Sequence, residues 1–71
     1  IKMVAKKIKS ILIYKDMRIT ALAGLLGKSV QNTSNLLKKD DFRESDLRTI
    51  AEKLGCDLKI EFVDKETGEI F

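Results

Sequence analysis

The sequence predicts a mainly α-helical domain of four helices that ends in a β-hairpin. Three observations lead to this. Apolar residues recur at helical spacing over residues 4–12 and again over 47–54. Between those stretches, residues 22–38 divide at Gly27 into two short helical segments. After Gly55 the apolar period falls to two, as a strand requires.

The first helix is expected over about residues 2–15. Val4, Ile8 and Leu12 recur every four residues with Ala5 and Ile11 beside them, and Lys6, Lys7, Lys9 and Ser10 fill the other face. Asp16 stands at its end, and Lys15 suits the negative end of the helix dipole. A second helix is expected over 20–26, with Thr20 as its cap and Leu22, Ala23 and Leu26 inward. Gly27 stops it, because a residue without Cβ takes the left-handed conformation that closes a helix. Ser29 then caps a third helix over 30–38, with Leu36 and Thr33 toward the core. Two helices of this length around a Gly-containing turn match the helix-turn-helix pattern.

Lys38 to Asp41 reads as a loop. The spacing of Asp41 and Glu44 is that of a capping box, with Asp in the place of Ser or Thr. A fourth helix follows to Leu54 with Leu47, Ile50, Ala51 and Leu54 inward, Phe42 plugging its entry and Gly55 ending it. Leu58, Ile60 and Phe62 alternate with Lys59, Glu61 and Val63, which predicts a half-buried strand. Residues 64–68 carry turn chemistry ending in Gly68, and Glu69 to Phe71 begin a returning strand. The organisation expected is a helix-turn-helix domain over 1–55. A hairpin over 56–71 would be a dimerisation or packing element of the same domain.

Seventy-one residues, 44% apolar and 35% charged, suit one small folded domain with one modest core. With no Pro and only 6% aromatics, that core must be Leu, Ile, Val and Ala. The lone Cys56 excludes an intrachain disulfide and reads as a buried structural thiol. No apolar run approaches the ~20 residues of a membrane span, and no secretory segment is evident, so a cytoplasmic location is expected. Ile rather than Met at position 1 leads to the expectation that the natural chain starts further upstream.

Charge is unevenly spread. Residues 1–39 hold nine Lys or Arg and one acid, a local charge of +8, whereas residues 40–56 carry −2 and residues 57–71 carry −3. One basic half suggests a face for a polyanion. Catalysis is not expected. His is absent, and no nucleophile–base pair, Gly-rich phosphate loop or metal-ligand spacing occurs, so neither a metal nor a cofactor is foreseen.

Helix 30–38 carries the functional reading. It presents Gln31, Asn32, Ser34 and Asn35, short hydrogen-bonding side chains where a solubilising helix would carry Glu, Lys and Arg. Asn and Thr each give up as much as ~0.7 kcal/mol of helix propensity against Ala, so the choice asks for a reason. Gln31 and Asn35, four apart, share a face and can each bond adenine N6 and N7, while Val30 can meet a thymine methyl. Val30, Gln31 and Asn35 are therefore the candidate base-reading residues. Asn32 and Ser34, with Ser29, are assigned to phosphates, as are Lys28 in the turn, Lys38 and Lys39 at the helix end, and Arg18. Lys6, Lys7 and Lys15 extend that set.

The chain resembles the lambda-repressor-like, Cro-type (XRE-family) helix-turn-helix domains over about residues 3–55. The resemblance rests on Leu22-Ala23, Leu26-Gly27, Ser29, Gln31-Asn32, Asn35-Leu36 and the later Leu47, Ile50-Ala51 and Leu54-Gly55. It implies a dimeric DNA-binding repressor or regulator of bacterial, phage or mobile-element type. It implies base-reading positions at Val30, Gln31 and Asn35, and phosphate-contacting ones at Asn32, Ser34 and from Arg18 to Thr20. Three positions depart from the family pattern. Arg18-Ile19-Thr20 stands where a Gln is common, Thr33 where a branched aliphatic is usual, and Arg43 where a Ser or Thr often precedes the fourth helix.

The expected partners are double-stranded DNA and a second copy, with no small-molecule ligand. Ile60, Phe62 and Ile70 are the candidate dimer or partner strand, since exposed edges invite pairing. The competing reading is a protein-interaction or antitoxin-like module that uses the same fold and offers its acidic hairpin to a partner.

Overall fold

The computed structural model describes residues 1–71 and contains four helices. These are α1 (Ala5–Tyr14), α2 (Ile19–Leu26), α3 (Val30–Lys39) and α4 (Glu44–Lys53). Their inner faces meet in one cluster of Ala5, Ile8 and Leu12 from α1, Leu22 from α2, Leu37 from α3, Leu47 and Ile50 from α4, and the flanking Phe42 and Leu54. Phe42, expected as a plug, is 1% exposed.

Helix α1 is shorter than the expected span of about residues 2–15. Met3 takes a positive φ of 65° and Lys2 pairs with Asp41, so the chain enters the helix only at Ala5. No side chain of its own caps it. Instead Asp40 Oδ1 accepts from the Val4 and Ala5 N–H groups at 3.0 and 2.9 Å. At its other end Asp16 adopts φ 53°. Asp16 N–H donates to Ile13 O (3.1 Å) and Met17 N–H to Leu12 O (2.8 Å), which satisfies two terminal carbonyls.

Helix α2 begins one residue earlier than its sequence suggests, and Thr20 is not its cap. Arg18, extended at ψ 161°, occupies that position, and its carbonyl accepts from Ala21 and Leu22. Thr20 lies exposed in the first turn. Gly27 closes α2 at φ 65°, with Lys28 N–H donating to Ala23 O at 2.9 Å. Helix α3 runs one residue beyond Lys38. Its buried side chains are Thr33 and Leu37, while Leu36 is only half-buried. The inward row is thus 33 and 37, the i, i+4 pair, rather than 33 and 36.

The fourth helix starts two residues later than the Asp41 capping box requires. Asp41 is held in a bridge with Lys2, and Phe42 is drawn into the core. Arg43 becomes the N-cap. Its side chain has no acceptor to offer, so only the return half of a box forms, with Asp46 Oδ2 accepting from the Arg43 N–H (3.2 Å) and Nε (3.4 Å). The backbone bond holds the Asp46 carboxyl below its ordinary range, with the nearby Arg43 and Lys28 charges adding to it.

The alternating segment 58–63 does not form the half-buried strand its period suggests. Leu58 alone packs on the core, Ile60 is 47% and Phe62 78% exposed, and a single antiparallel bridge joins Val63 to Ile70. The returning arm, Glu69 to Phe71, offers too few groups for a longer ladder, and two unpacked strands are marginal in water. The turn between them is well tied. Asp64 Oδ1 accepts from Glu66 and Thr67 N–H (2.8 and 3.0 Å), bonds that hold its carboxyl below the usual value.

Candidate nucleic-acid interface

Helix α3 is an outer element fastened from behind. Ser29, extended at ψ 158°, accepts from Asn32 N–H at 3.1 Å through its hydroxyl, the cap expected from sequence. One turn on, the buried Thr33 hydroxyl donates to Ser29 O at 2.9 Å, so the polar group at an inward position is satisfied. Packing of Thr33 and Leu37 against the core turns Val30, Gln31, Asn32, Asn35, Lys38 and Lys39 to solvent. Ser34 is half-buried at the edge of that surface.

The two amides assigned to base reading are brought together. Gln31 Nε2 donates to Asn35 Oδ1 at 3.0 Å, across one exposed turn. That bond leaves both Asn35 Nδ2 hydrogens, the second lone pair of Asn35 Oδ1 and the Gln31 carbonyl oxygen unused. Val30 precedes them, 43% exposed at the first position of the helix. All three stand in the first turn and a half of α3, where the helix dipole is positive.

The electrostatic setting is one-sided. From Met17 to Lys39, across both helices and their turn, no acidic residue occurs, while Arg18, Lys28, Lys38 and Lys39 do. Arg18 and Thr20 are exposed at the start of α2, and Lys38 and Lys39 fill the last turn of α3. Lys28 is exposed in the turn, where it helps line a cleft of about 80 Å³ with Leu26, Leu36, Asp46, Thr49 and Ile50. Its charge is the last of the influences that hold the Asp46 carboxyl low, after the Arg43 bonds.

Ile60, Phe62 and Ile70 do not share this surface. They are exposed on the C-terminal arm, beyond the last core contact at Leu58. No three acidic, Cys or His side chains converge as metal ligands. A cleft of about 680 Å³ beside Phe42 is rimmed by Lys39 and Arg43 against Asp41, Glu44 and Asp46, charges that offset each other instead of converging on a ligand. Cys56 is half-buried, with Sγ 3.7 Å from Leu54 O.

Sequence reasoning overlooked Asp40, read as part of a loop. At φ 49° it ends α3 and at the same time caps α1, so it ties the end of the candidate reading helix to the lysine-bearing helix. Its partners are 35 and 36 residues away, and no local pattern announces them. Comparison of the chain with protein-family models, with curated proteins and with solved structures finds no match.

Proposed function

We propose that this chain is a sequence-specific DNA-binding transcriptional regulator. In this reading a lambda-repressor-like helix-turn-helix inserts α3 into the major groove, and the protein acts in the cytoplasm as a homodimeric repressor of bacterial, phage or mobile-element type. The observation that carries it is the exposed Gln31–Asn35 amide pair near the N-terminus of α3, within a stretch from Met17 to Lys39 that holds cations and no acid. A helix presented this way reads base edges with the side chains of its first turns. Val30, Gln31 and Asn35 form the base-reading set, with Asn35 bonding the base and Gln31 holding its amide. Arg18, Thr20, Lys28, Ser29, Asn32, Ser34, Lys38 and Lys39 position the backbone. The two arms of the 56–71 segment form the C-terminal hairpin, and the protein has no catalytic role.

Selection of binding sites from random duplexes at two salt concentrations tests this. A two-fold symmetric consensus with a steep salt dependence is expected, since each neutralised phosphate steepens the slope by about 0.9. Binding without a consensus would refute sequence reading. No binding at low salt would refute the DNA reading altogether. It would favour the protein-interaction or antitoxin-like alternative, for which the exposed apolar side chains of the acidic arm supply a surface.

A further inference from the structure

The C-terminal arm leaves the helical body. After Leu58 every residue except Asp64 is exposed, and the molecule extends 44 Å along one axis against 23 and 18 Å along the others. Its radius of gyration is 13.7 Å, where a compact domain of this length has about 11 Å. The arm nevertheless carries large apolar side chains, Phe62, Val63, Ile70 and Phe71, exposed at 78, 56, 59 and 70%. They sit in a segment, 57–71, of net charge −3.

A second surface of the same molecule is its complement. Helix α1 sends Ala5, Ile8 and Leu12 inward, so Ser10 and Tyr14 lie opposite, with Lys6 and Ile13 along one side of them. Ile13 and Tyr14 are 81 and 87% exposed, an adjacent apolar pair at the helix end. Residues 1–15 hold five lysines and no acid. One surface is apolar with acidic surroundings, the other apolar with basic surroundings, and neither is covered in the single chain.

We propose that the C-terminal arm of one copy docks on the outer face of α1 of a second copy, and that the two copies exchange arms reciprocally. Phe62 and Phe71 cover Ile13 and Tyr14, and the arm's glutamates face Lys6 and Lys9. Apolar contact supplies the affinity, while the charges set register and exclude like-charged pairings, arm on arm or α1 on α1. Reciprocity makes the contact isologous and closes it at two copies, with two such contacts contributing to one interface. The arrangement leaves the outer face of α3 free. The inference rests on the homodimer in the functional reading and not on its DNA contacts.

Sedimentation of the whole chain without DNA, from micromolar to hundreds of micromolar, tests it with two double variants. Ile13→Ser/Tyr14→Ser and Phe62→Ser/Phe71→Ser alter exposed positions only, and circular dichroism should show both folded. The wild type should dimerise, less tightly at high salt, and each variant alone should be monomeric. An equimolar mixture of the two should regain association, because one arm and one α1 face remain intact between unlike copies. A wild type that stays monomeric throughout overturns the proposal. So does an Ile13/Tyr14 variant that dimerises like the wild type, which would mean that arms pair with arms, and so does a mixture that fails to associate. Loss of sequence preference in the selection experiment would leave all these results standing.

Discussion

Gln31 and Asn35 should behave as one reading unit, with Asn35 the reader and Gln31 its brace. Bidentate recognition of adenine needs a donor and an acceptor from one amide. With Gln31 Nε2 donating to Asn35 Oδ1 at 3.0 Å, Asn35 keeps a free donor and a free lone pair, and its terminal torsion is held. Asn35→Ala removes a bidentate pair worth ~1–3 kcal/mol, a loss of about 5- to 150-fold in affinity for the preferred duplex. Gln31→Ala removes only the restraint, so its loss should be smaller and fall on the same base pair. The double variant should then lie close to Asn35→Ala, short of the sum of the singles by at least ~0.5 kcal/mol. Folding should hardly change, since an exposed i, i+4 pair contributes only ~0.2–0.5 kcal/mol to a helix. Competition anisotropy measures this, using the selected duplex and a copy altered at the adenine that Asn35 reads. Additive losses, or equal losses on both duplexes, would refute the braced-reader argument.

Asp40→Ala should lower stability by about 2–3 kcal/mol, because it removes the cap on Val4 and Ala5 and leaves at φ 49° a residue without the short polar side chain that eases the left-handed conformation. Asp40→Asn, which keeps an acceptor and tolerates that φ, should lose less than half as much. Thermal unfolding compares the two, and equal midpoints would refute the cap. Thr33→Val should change stability by less than ~1 kcal/mol, since the added methyl offsets the lost hydroxyl bond. Ser29 O still accepts from Thr33 N–H at 3.0 Å, and a urea-measured loss above ~2 kcal/mol would contradict this account. Asp46 binds its proton more weakly folded than unfolded, so its stabilising contribution is complete above the ordinary value of 3.8 and is lost as pH falls through the lower folded value. Urea midpoints of wild type and Asp46→Asn should therefore converge toward acid pH, and a constant gap would refute the assignment.

The parts of this fold that are legible in the sequence are those specified within one or two helical turns. Gly27 and Ser29 mark the turn because the conformations they favour are local, and both stand as expected, at φ 65° and as a hydroxyl cap. Leu22, Leu47, Ile50 and Leu54 are buried because spacing alone puts them on an inward row. The misplaced cap of α2 and the inward row of α3 are off by one or two residues, whereas two larger misreadings involve partners from elsewhere in the chain. Asp41 has the spacing of a cap, yet it is bridged to Lys2, and the return half of the box forms around Arg43 and Asp46 instead. The alternation from Leu58 to Val63 is a strand pattern without a long enough partner, so it yields one bridge. At the candidate site, exposure of Gln31 and Asn35 follows from helical phase, whereas their mutual bond depends on the rotamers the folded helix selects.

The way α3 is held separates its folding role from its outer surface. Asn32, Thr33 and Asn35 together forgo up to about 2 kcal/mol of propensity relative to Ala. That deficit is met entirely at the ends and on the inner face. Ser29 caps the start, Thr33 returns its hydroxyl to Ser29, Leu37 is buried, Lys38 and Lys39 occupy the last turn where the dipole favours cations, and Asp40 closes the helix in the left-handed conformation. The Asn32 side chain bonds nothing in the protein, and Gln31 and Asn35 bond only each other. Alanines at 31, 32 and 35 would give a better helix with the same caps and the same core. The polar row is therefore surplus to folding, and that surplus, in a stretch from Met17 to Lys39 that holds cations and no acid, is the physical ground for assigning the row to an external partner rich in hydrogen-bonding groups and negative charge.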